Sequence, residues 1–486
     1  MSRRSFATIS RAEAVDAPTL VAPAAPALRI PDRIVLDVLM LFEIGIVVAA
    51  AAIAKLVYIA VFLESVQDPQ PYILAGLAGG IVTHYVLRSW GLHGTAAVLD
   101  WRRRSGRMIA AIGLAFLALI AIAFLFKVSA DYSRGWLLTW LGLVVVLLPL
   151  SRSLSARALA WLAANGCTVR RIAVVASGGV GKQIADSLRD APGTRIVGVF
   201  EDQAAVLRSS GHTHSSIADL ISIGQRNEID EVIVDLSHAP HARMTRLLDE
   251  LSVLPVDVWL CPSDVSMPVL STARVGSINL LQIKPKPIRD WGAITKLALD
   301  YVAGSIALVL FAPLMLAVAT AIKLDSPGKV FFRQRRHGYN HRVIDVFKFR
   351  TMHVAENGDR IEQARKDDPR VTRVGRFLRR TSLDELPQLF NVLRGEMSLV
   401  GPRPHALAHN RLYADRLERY ANRHCVKPGI TGWAQIHGFR GPTEDAEKMR
   451  NRVQFDLHYI ENWSIWLDIR ILALTPFLGF VGRNAL

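Results

Sequence analysis

The chain has 486 residues, too many for one ordinary hydrophobic core, so two or three domains are expected. Hydrophobic residues make up 51% and charged residues 21%, with a mean hydropathy of +0.26, which argues against a purely soluble protein and equally against a bare bundle of spans. A net charge of +16 calls for an anionic partner, whether nucleic acid, anionic lipid or a phosphorylated substrate.

Residues 1–32 carry Arg3, Arg4 and Arg11 ahead of an Ala/Pro-rich stretch, without the short apolar region and cleavage site of a signal peptide, and read as a disordered cytoplasmic tail. Apolar stretches follow at about 34–63, 72–87, 108–126 and 136–150, each approaching the roughly 20 residues a helix needs to cross a bilayer. They define a four-helix transmembrane region over 33–152, in which Asp37 and Glu43 read as buried between helices or set near an interface. Arg88, Arg102, Arg103, Arg104 and Arg107 lie between the second and third stretches, and Arg152, Arg157, Arg170 and Arg171 at or after the end of the fourth, so those segments and both ends face the cytoplasm. Cys167, Cys261 and Cys425 are far apart and show no CxxC or Cys/His spacing, so neither a disulfide framework nor a zinc site is indicated.

Beyond residue 168 strands alternate with helices: strands at 171–176, 195–200, 231–236 and 256–260, helices at 182–189 and 241–251. This predicts a small parallel α/β sheet over 168–275. The turn Ser177-Gly178-Gly179-Val180-Gly181-Lys182 could meet a phosphate, with Glu201 or Asp202 at a ribose, but it matches neither G-x-G-x-x-G nor the P-loop. Glycines that only permit a tight turn are an equal reading. His212, His214, His238 and His241 lack helical metal-ligand spacing and read as solvated loop histidines.

A further apolar stretch at 297–322 is interrupted by Ala312-Pro313 and has basic residues on both sides: Lys284, Lys286, Arg289 and Lys296 before it, Lys323, Lys329, Arg333, Arg335 and Arg336 after it. Both ends then face the cytoplasm, which predicts a re-entrant helix over about 296–324, kinked at Pro313. Downstream, Lys348, Arg350, Arg373, Arg376, Arg379 and Arg380 crowd toward Ser382-Leu-Asp-Glu-Leu-Pro-Gln388. Alone, Asp384-Glu385 would be a solvated surface pair. Among so many cations it suits a metal-assisted reaction on a phosphate. The Gly401-Pro-Arg-Pro404 loop can aim Arg403 at a phosphate as a planar fork or serve as a turn, and Lys427-Pro-Gly-Ile-Thr-Gly-Trp-Ala-Gln435 reads equally as nucleotide contact or packing.

These residues resemble the polyprenyl-phosphate hexose-1-phosphate transferases, the monotopic phosphoglycosyl transferases. The matching stretches within residues 285–486 are 296–300, Phe332-Arg-Gln-Arg-Arg336, Phe347-Lys-Phe-Arg-Thr-Met352, 381–391, 395–404, 427–435 and 456–468. The resemblance extends to the long form of the family, a membrane protein of α + α/β class in which four spans and a degenerate Rossmann-like domain precede the catalytic domain. It implies that Asp384 is the nucleophile and Glu385 its partner, that both hold Mg2+, and that Lys348, Arg350, Arg379, Arg380 and Arg403 bind substrate phosphate. A UDP-sugar would release UMP and leave a phosphosugar on Asp384, which undecaprenyl phosphate would take up to begin an exopolysaccharide repeat at the bacterial inner membrane. Residues 443–449 and 459–464 look more like the glucose-transferring members than the galactose-transferring ones. Ala312 stands where many members have serine, so a hydroxyl bond to the freed backbone is lost.

Two rivals differ in class. A membrane sensor or scaffold, with its nucleotide-fold domain as the ligand site, would tolerate replacement of Asp384. A nucleic-acid binder is disfavoured because the basic residues cluster beside membrane segments and carboxylates, so no nucleic acid is expected as a partner. Formation of a homodimer is left open.

Overall fold

The computed structural model describes residues 30–479 apart from 63–69, 130–131, 177–179, 190–192, 201–215, 236–240, 262–270, 276–277, 354–367, 406–412, 414–416, 418, 440 and 442–445. The N-terminal tail before Ile30, Ser177 to Gly179 of the glycine turn, Glu201, Asp202, His212, His214, His238 and residues 443–445 therefore lie outside the described residues. Two compact units divide the chain, Met1–Thr168 and Val169–Leu486.

The first unit is helical: α1 (Asp32–Phe62), α2 (Gln70–Ser89), a short α3 (Thr95–Leu99), α4 (Ser105–Leu125) and α5 (Arg134–Ala164). Tyr72, Gly76, Gly79, Gly80, Thr83, His84 and Leu87 recur at helical spacing and form the buried face of α2. Glycine there is needed for close approach: a Cβ on Gly80 would stand 2.9 Å from Ile44 of α1. Trp136 and Trp140 of α5 are fully buried, with their indole Nε1 groups donating to the Ala51 and Val47 carbonyls at 3.0 and 2.9 Å. Truncating either would cost about 3–5 kcal/mol. The outer surface is apolar, with Leu56, Leu74, Leu117 and Leu138 all exposed, as expected of helices solvated by lipid.

Four helices are long and apolar enough to cross a membrane among the described residues: Arg33–Val57, Ser105–Leu125, Arg134–Ala164 and Asp290–Asp325. The set differs from the four predicted N-terminal spans. Glycines, Thr83, His84 and Arg88 lower the hydropathy of α2 below that of its neighbours, whereas the later Asp290–Asp325 qualifies.

The second unit opens with a six-stranded sheet of β1 (Arg170–Ala176), β2 (Thr194–Phe200), β3 (Glu231–Asp235), β4 (Asp257–Leu260), β5 (Ser271–Val275) and β6 (Ile278–Lys284), in the order β2-β1-β3-β4-β6-β5. Its helices are α6 (Val180–Arg189), α7 (Ile217–Gln225) and α8 (His241–Leu251). Residues 172–176 of β1 are all buried, as in a parallel strand covered on both faces. The predicted all-parallel sheet ending near residue 275 needs correcting: β1 to β4 are parallel, but β5 and β6 pair antiparallel and carry the sheet to Lys284. Only two residues join β5 to β6, far too few for the crossover that parallel pairing requires.

A 36-residue helix, α9 (Asp290–Asp325), follows, with Pro313 inside it and no interruption at Ala312-Pro313. The remainder is a mixed assembly: the hairpin β7 (Phe331–His337) and β8 (Val343–Phe349), α10 (Arg373–Thr381), α11 (Gln388–Leu393), the short parallel pair β9 (Ser398–Val400) and β10 (Gly429–Thr431), and the helices Ala446–Glu461 and Ile465–Leu474. Buried charge ties α9 to this assembly. Lys296 Nζ donates to Asp468 at 2.6 Å and to the Val400 carbonyl at 2.8 Å, and Asp300 accepts from the Ser398 hydroxyl and the Leu399 amide. Each of these buried charges is thus met by an opposite charge or hydrogen bonds, the condition under which burial is tolerated.

Candidate active site

The carboxylate pair sits on a forced turn. Helix α10 ends at Ser382, a buried residue at φ +58°, where glycine or asparagine is usual. The chain then makes one 3-10 turn, Leu383–Glu385, before Pro387 leads into α11. This reversal holds Asp384 and Glu385 beside β8 and the loop after β9.

The β7–β8 hairpin supplies cations through strand alternation. Phe332 pairs with Lys348, Gln334 with Val346 and Arg336 with Ile344, so Lys348 and Arg336 share a face. Lys348 Nζ reaches Glu385 Oε1 at 2.7 Å and Asp384 Oδ2 at 3.9 Å. The opposite face carries an open cavity of ≈ 490 Å³ lined by Arg333, Arg335, Phe347 and Arg394 among others, and neither carboxylate lines it.

Arg403 completes the group from the Gly-Pro-Arg-Pro loop. Its guanidinium grips Glu385 as a fork, Nη2 to Oε1 at 2.6 Å and Nη1 to Oε2 at 3.0 Å. The loop is held backbone to backbone against the Lys427-Pro-Gly segment. Gly401 N donates to the Thr431 carbonyl at 2.9 Å and Gly429 N to the Pro402 carbonyl at 3.0 Å. A Cβ on Gly429 would lie 2.1 Å from Gly401 N, so glycine is needed for that approach. Trp433 packs against His437 and His458, so the packing reading of the 427–435 segment has direct contacts behind it.

The two carboxylates have different surroundings. Glu385 is buried and its oxygens carry Lys348 and Arg403, whereas Asp384 accepts no hydrogen bond among the described residues. Burial pushes the Asp384 carboxyl above its usual range; Lys348 pulls it back, Glu385 adds to the rise, and Arg403 and Arg379 oppose it. Burial likewise pushes the Lys348 ammonium down, against both carboxylates. For Arg403, burial works against the charge but Glu385 and Asp384 outweigh it, and the guanidinium is held above its ordinary value.

The other sequence-predicted cations fare unequally. Arg379 donates to Thr351 Oγ1 at 2.9 Å and is within electrostatic reach of Asp384. Arg380 is exposed and makes no hydrogen bond or ion pair among the described residues. Arg350 is turned away: its guanidinium donates to the Ser326 carbonyl and hydroxyl and to the Pro327 carbonyl, closing the turn after α9. Pro313 lies in α9 and joins none of these groups.

A second layer was not foreseen. Arg336 donates to the Pro404 carbonyl, and burial, with Arg403 beside it, pushes its pKa down to about 10 against the pull of Glu385 and Asp384. Arg423 pairs with Asp456 at 2.7 Å and donates to the Arg403 carbonyl at 2.9 Å. His405 Nδ1 lies 2.9 Å from Arg423 Nη1 and 2.7 Å from the Tyr420 hydroxyl, and Arg452 approaches its other nitrogen at 3.4 Å. Burial and then these arginines hold His405 neutral, well below the ordinary histidine range. Arg336 had two sequence signals, its alternation with Lys348 across the hairpin and its place in the matching stretch 332–336; Asp456 had only its place at the start of the matching stretch 456–468, and Arg423 and His405 had none.

Residues 291–482 match the family described as bacterial sugar transferase, and residues 79–262 match one described as a CoA-binding domain. The chain is 41% identical over 353 residues to the UDP-glucose:undecaprenyl-phosphate glucose-1-phosphate transferase of Escherichia coli K12, covering 72% of this chain and 76% of that protein. A Caulobacter vibrioides protein of the same name is 53% identical over 229 residues, covering 45% and 86%. The exopolysaccharide production protein PSS of Rhizobium leguminosarum is 48% identical over 183 residues, covering 37% and 92%.

Proposed function

The chain belongs to the bacterial sugar transferase family, and from that premise we propose that it transfers glucose-1-phosphate from UDP-glucose to undecaprenyl phosphate, through a phosphosugar carried on Asp384. The observation that carries the assignment is the division of labour between the two carboxylates. Glu385 is committed to Lys348 and Arg403, while Asp384 keeps an uncommitted carboxylate in the same cationic surroundings.

In the first step an Asp384 oxygen attacks the sugar-bearing phosphorus. A new O–P bond forms, the bond to the bridging oxygen breaks, and UMP departs with that oxygen. In the second step an oxygen of undecaprenyl phosphate attacks the same phosphorus and displaces the Asp384 carboxylate, giving the lipid-linked diphosphate sugar. Lys348, Arg403 and Arg379 stabilise negative charge around that phosphorus, and Arg403 acts as a planar fork. Arg336, behind Arg403, adds positive potential for the diphosphate of the donor. Arg380 and Arg350 are left without a role at the phosphate.

The donor set fits Mg2+. Asp384 offers a hard carboxylate oxygen that accepts no hydrogen bond among the described residues, and Glu385 stands beside it as a second carboxylate. When bound, the ion would neutralise charge on the donor's diphosphate.

Basic residues at both ends of α9 favour a helix that enters and leaves the bilayer on one face, with Pro313 depriving the Val309 carbonyl of its helical donor midway along it. The catalytic part then lies at the cytoplasmic face of the inner membrane, and the four parallel strands β1 to β4 read as a degenerate Rossmann-like domain.

The test is UMP release from UDP-glucose by the purified chain with undecaprenyl phosphate and Mg2+, with UDP-galactose alongside. Lipid-dependent release from UDP-glucose that disappears in Asp384→Asn is expected. Equal release by that variant would refute the assignment.

A further inference from the structure

A second cluster of ligand-type side chains lies in the helical unit, apart from the carboxylate pair. Glu43 of α1, His84 of α2 and His93 of the segment after α2 bring one ligand atom each within 4.8 Å of one another. Glu43 Oε2, His84 Nδ1 and His93 Nδ1 are all buried, and none has a hydrogen-bond partner among the described residues. Buried polar atoms are nearly always satisfied, and these three residues bring unsatisfied atoms into one buried cluster, a setting that a bound ion would suit.

The surroundings resemble a supported coordination site. Arg152 of α5 holds the other Glu43 oxygen at 2.7 Å and donates to the Leu92 carbonyl at 2.9 Å, one residue before His93. One carboxylate oxygen is thereby anchored and the other presented, which is how outer-shell groups orient a ligating carboxylate. The two imidazoles stand edge to face, with centroids 4.6 Å apart, a ring contact that fixes the angle between their planes. His93 Nδ1 and Glu43 Oε2 are 4.0 Å apart; a tetrahedral ion with bonds near 2.1 Å needs about 3.4 Å, a contraction that side-chain rotation supplies. Asp37, Arg88 and Arg152 lie within electrostatic reach of His93, so with Glu43 two acids balance two arginines before any ion enters.

We propose that Glu43, His84 and His93 bind one divalent transition-metal ion of the zinc class, fastening the segment after α2 to α1. Two imidazoles and one carboxylate suit zinc, cobalt or nickel, whereas magnesium and calcium prefer all-oxygen sites. A fourth position is left for water. The proposal is independent of the transferase reading.

The full chain, purified in lipid nanodiscs without a histidine tag, would be loaded with Zn2+ in excess Mg2+, passed through a weak chelator and assayed for metal by mass spectrometry. The same preparation loaded with Co2+ would be examined for visible d–d bands. Wild type and Asp384→Asn should each retain close to one zinc ion per chain. Glu43→Gln and His93→Asn should weaken retention beyond the ~10–100-fold that loss of an outer-shell partner causes. If Glu43→Gln elutes as an aggregate, the partly exposed His93 decides alone. The proposal is overturned if wild type retains no zinc, if His93→Asn retains as much as wild type, or if zinc is lost only with Asp384→Asn.

Discussion

Replacing Lys348 with methionine removes one charge at nearly constant side-chain length and separates electrostatic from steric effects at the carboxylate pair. The ammonium lies 3.9 Å from Asp384, and at an effective dielectric constant near 20 two unit charges at that distance attract by about 4 kcal/mol. Arg403 and Arg379 remain and partly compensate, so we expect roughly 1.5–2 kcal/mol to be lost, or ~10–30-fold in rate. The loss should depend on pH in a definite direction. Asp384 must be ionised to attack, its carboxyl is already raised by burial, and Lys348 is the first group pulling it down. Without Lys348 the proton is held to higher pH, so the deficit in UMP release should be largest on the acid side and shrink as pH rises. Because burial pushes the Lys348 ammonium down, wild type should also lose activity on the alkaline side as that proton leaves, and Lys348→Met should lack this limb. A deficit of equal size at every pH, or an acid limb displaced toward lower pH, would refute the reasoning.

Arg403→Lys keeps the charge but loses the two-pronged grip on Glu385, and steady-state kinetics should show a fall of ~10–100-fold in kcat with a smaller change in KM. Lys296→Met leaves Asp468 buried without its cation, and denaturation monitored by tryptophan fluorescence should report a loss of ~3–5 kcal/mol, much of it recovered in Lys296→Met with Asp468→Leu. Gly429→Ala places a Cβ against Gly401 N, and UMP release should fall more than tenfold, roughly what displacing Arg403 by about an ångström would cost. Burial pushes His341 down to about 4 and holds His405 and His424 well below the ordinary range. The unfolded chain therefore takes up protons below about pH 6.5 that the folded chain does not, and stability should fall as pH drops from there toward 4, by up to about 1.4 kcal/mol per pH unit for each histidine. Thermal melts across that range should show the decline, and His405→Gln should reduce its slope.

Elements with a strong local period were legible before any coordinates. The strands from β1 to β4, α8 and the long apolar helix fall close to where alternation and hydropathy put them. The β5–β6 hairpin and the exclusion of α2 from the most apolar helices were harder to see. The first depends on a two-residue connection, the second on small and polar residues that face a neighbouring helix. At the site, Arg350 shows the limit of counting residues. Two positions beyond Lys348 it should share that side chain's face, but β8 ends at Phe349, the Arg350 amide bonds to the Val330 carbonyl, and the guanidinium swings to Ser326. The same alternation, applied backward across the turn, would have found Arg336. His405, Arg423 and Asp456 could not be found this way, because 18 and 33 residues separate Arg423 from its two partners and only the folded chain brings them together.

The position of Arg403 depends on contacts far from any phosphate. Lys296 in the first turns of α9 bonds to the carbonyl of Val400, the residue just before the Gly-Pro-Arg-Pro loop, and Asp300 one turn later holds the Ser398 and Leu399 groups of the same strand. From the other side Arg423 bonds to the Arg403 carbonyl while anchored by Asp456. The loop is therefore held by buried charges on two sides, Lys296 and Asp300 of α9 on one and Arg423, anchored by Asp456 of Ala446–Glu461, on the other. Hydrophobic packing of equal volume would be at least as stabilising. Ion pairs add direction: each guanidinium and ammonium donates to its partner along a few defined lines, so the register between α9 and β9 is set to within a hydrogen-bond length. On the proposed transferase reading, a phosphate beside this loop needs that register more than it needs stability, and this is the physical reason to expect charge where the fold could have used leucine.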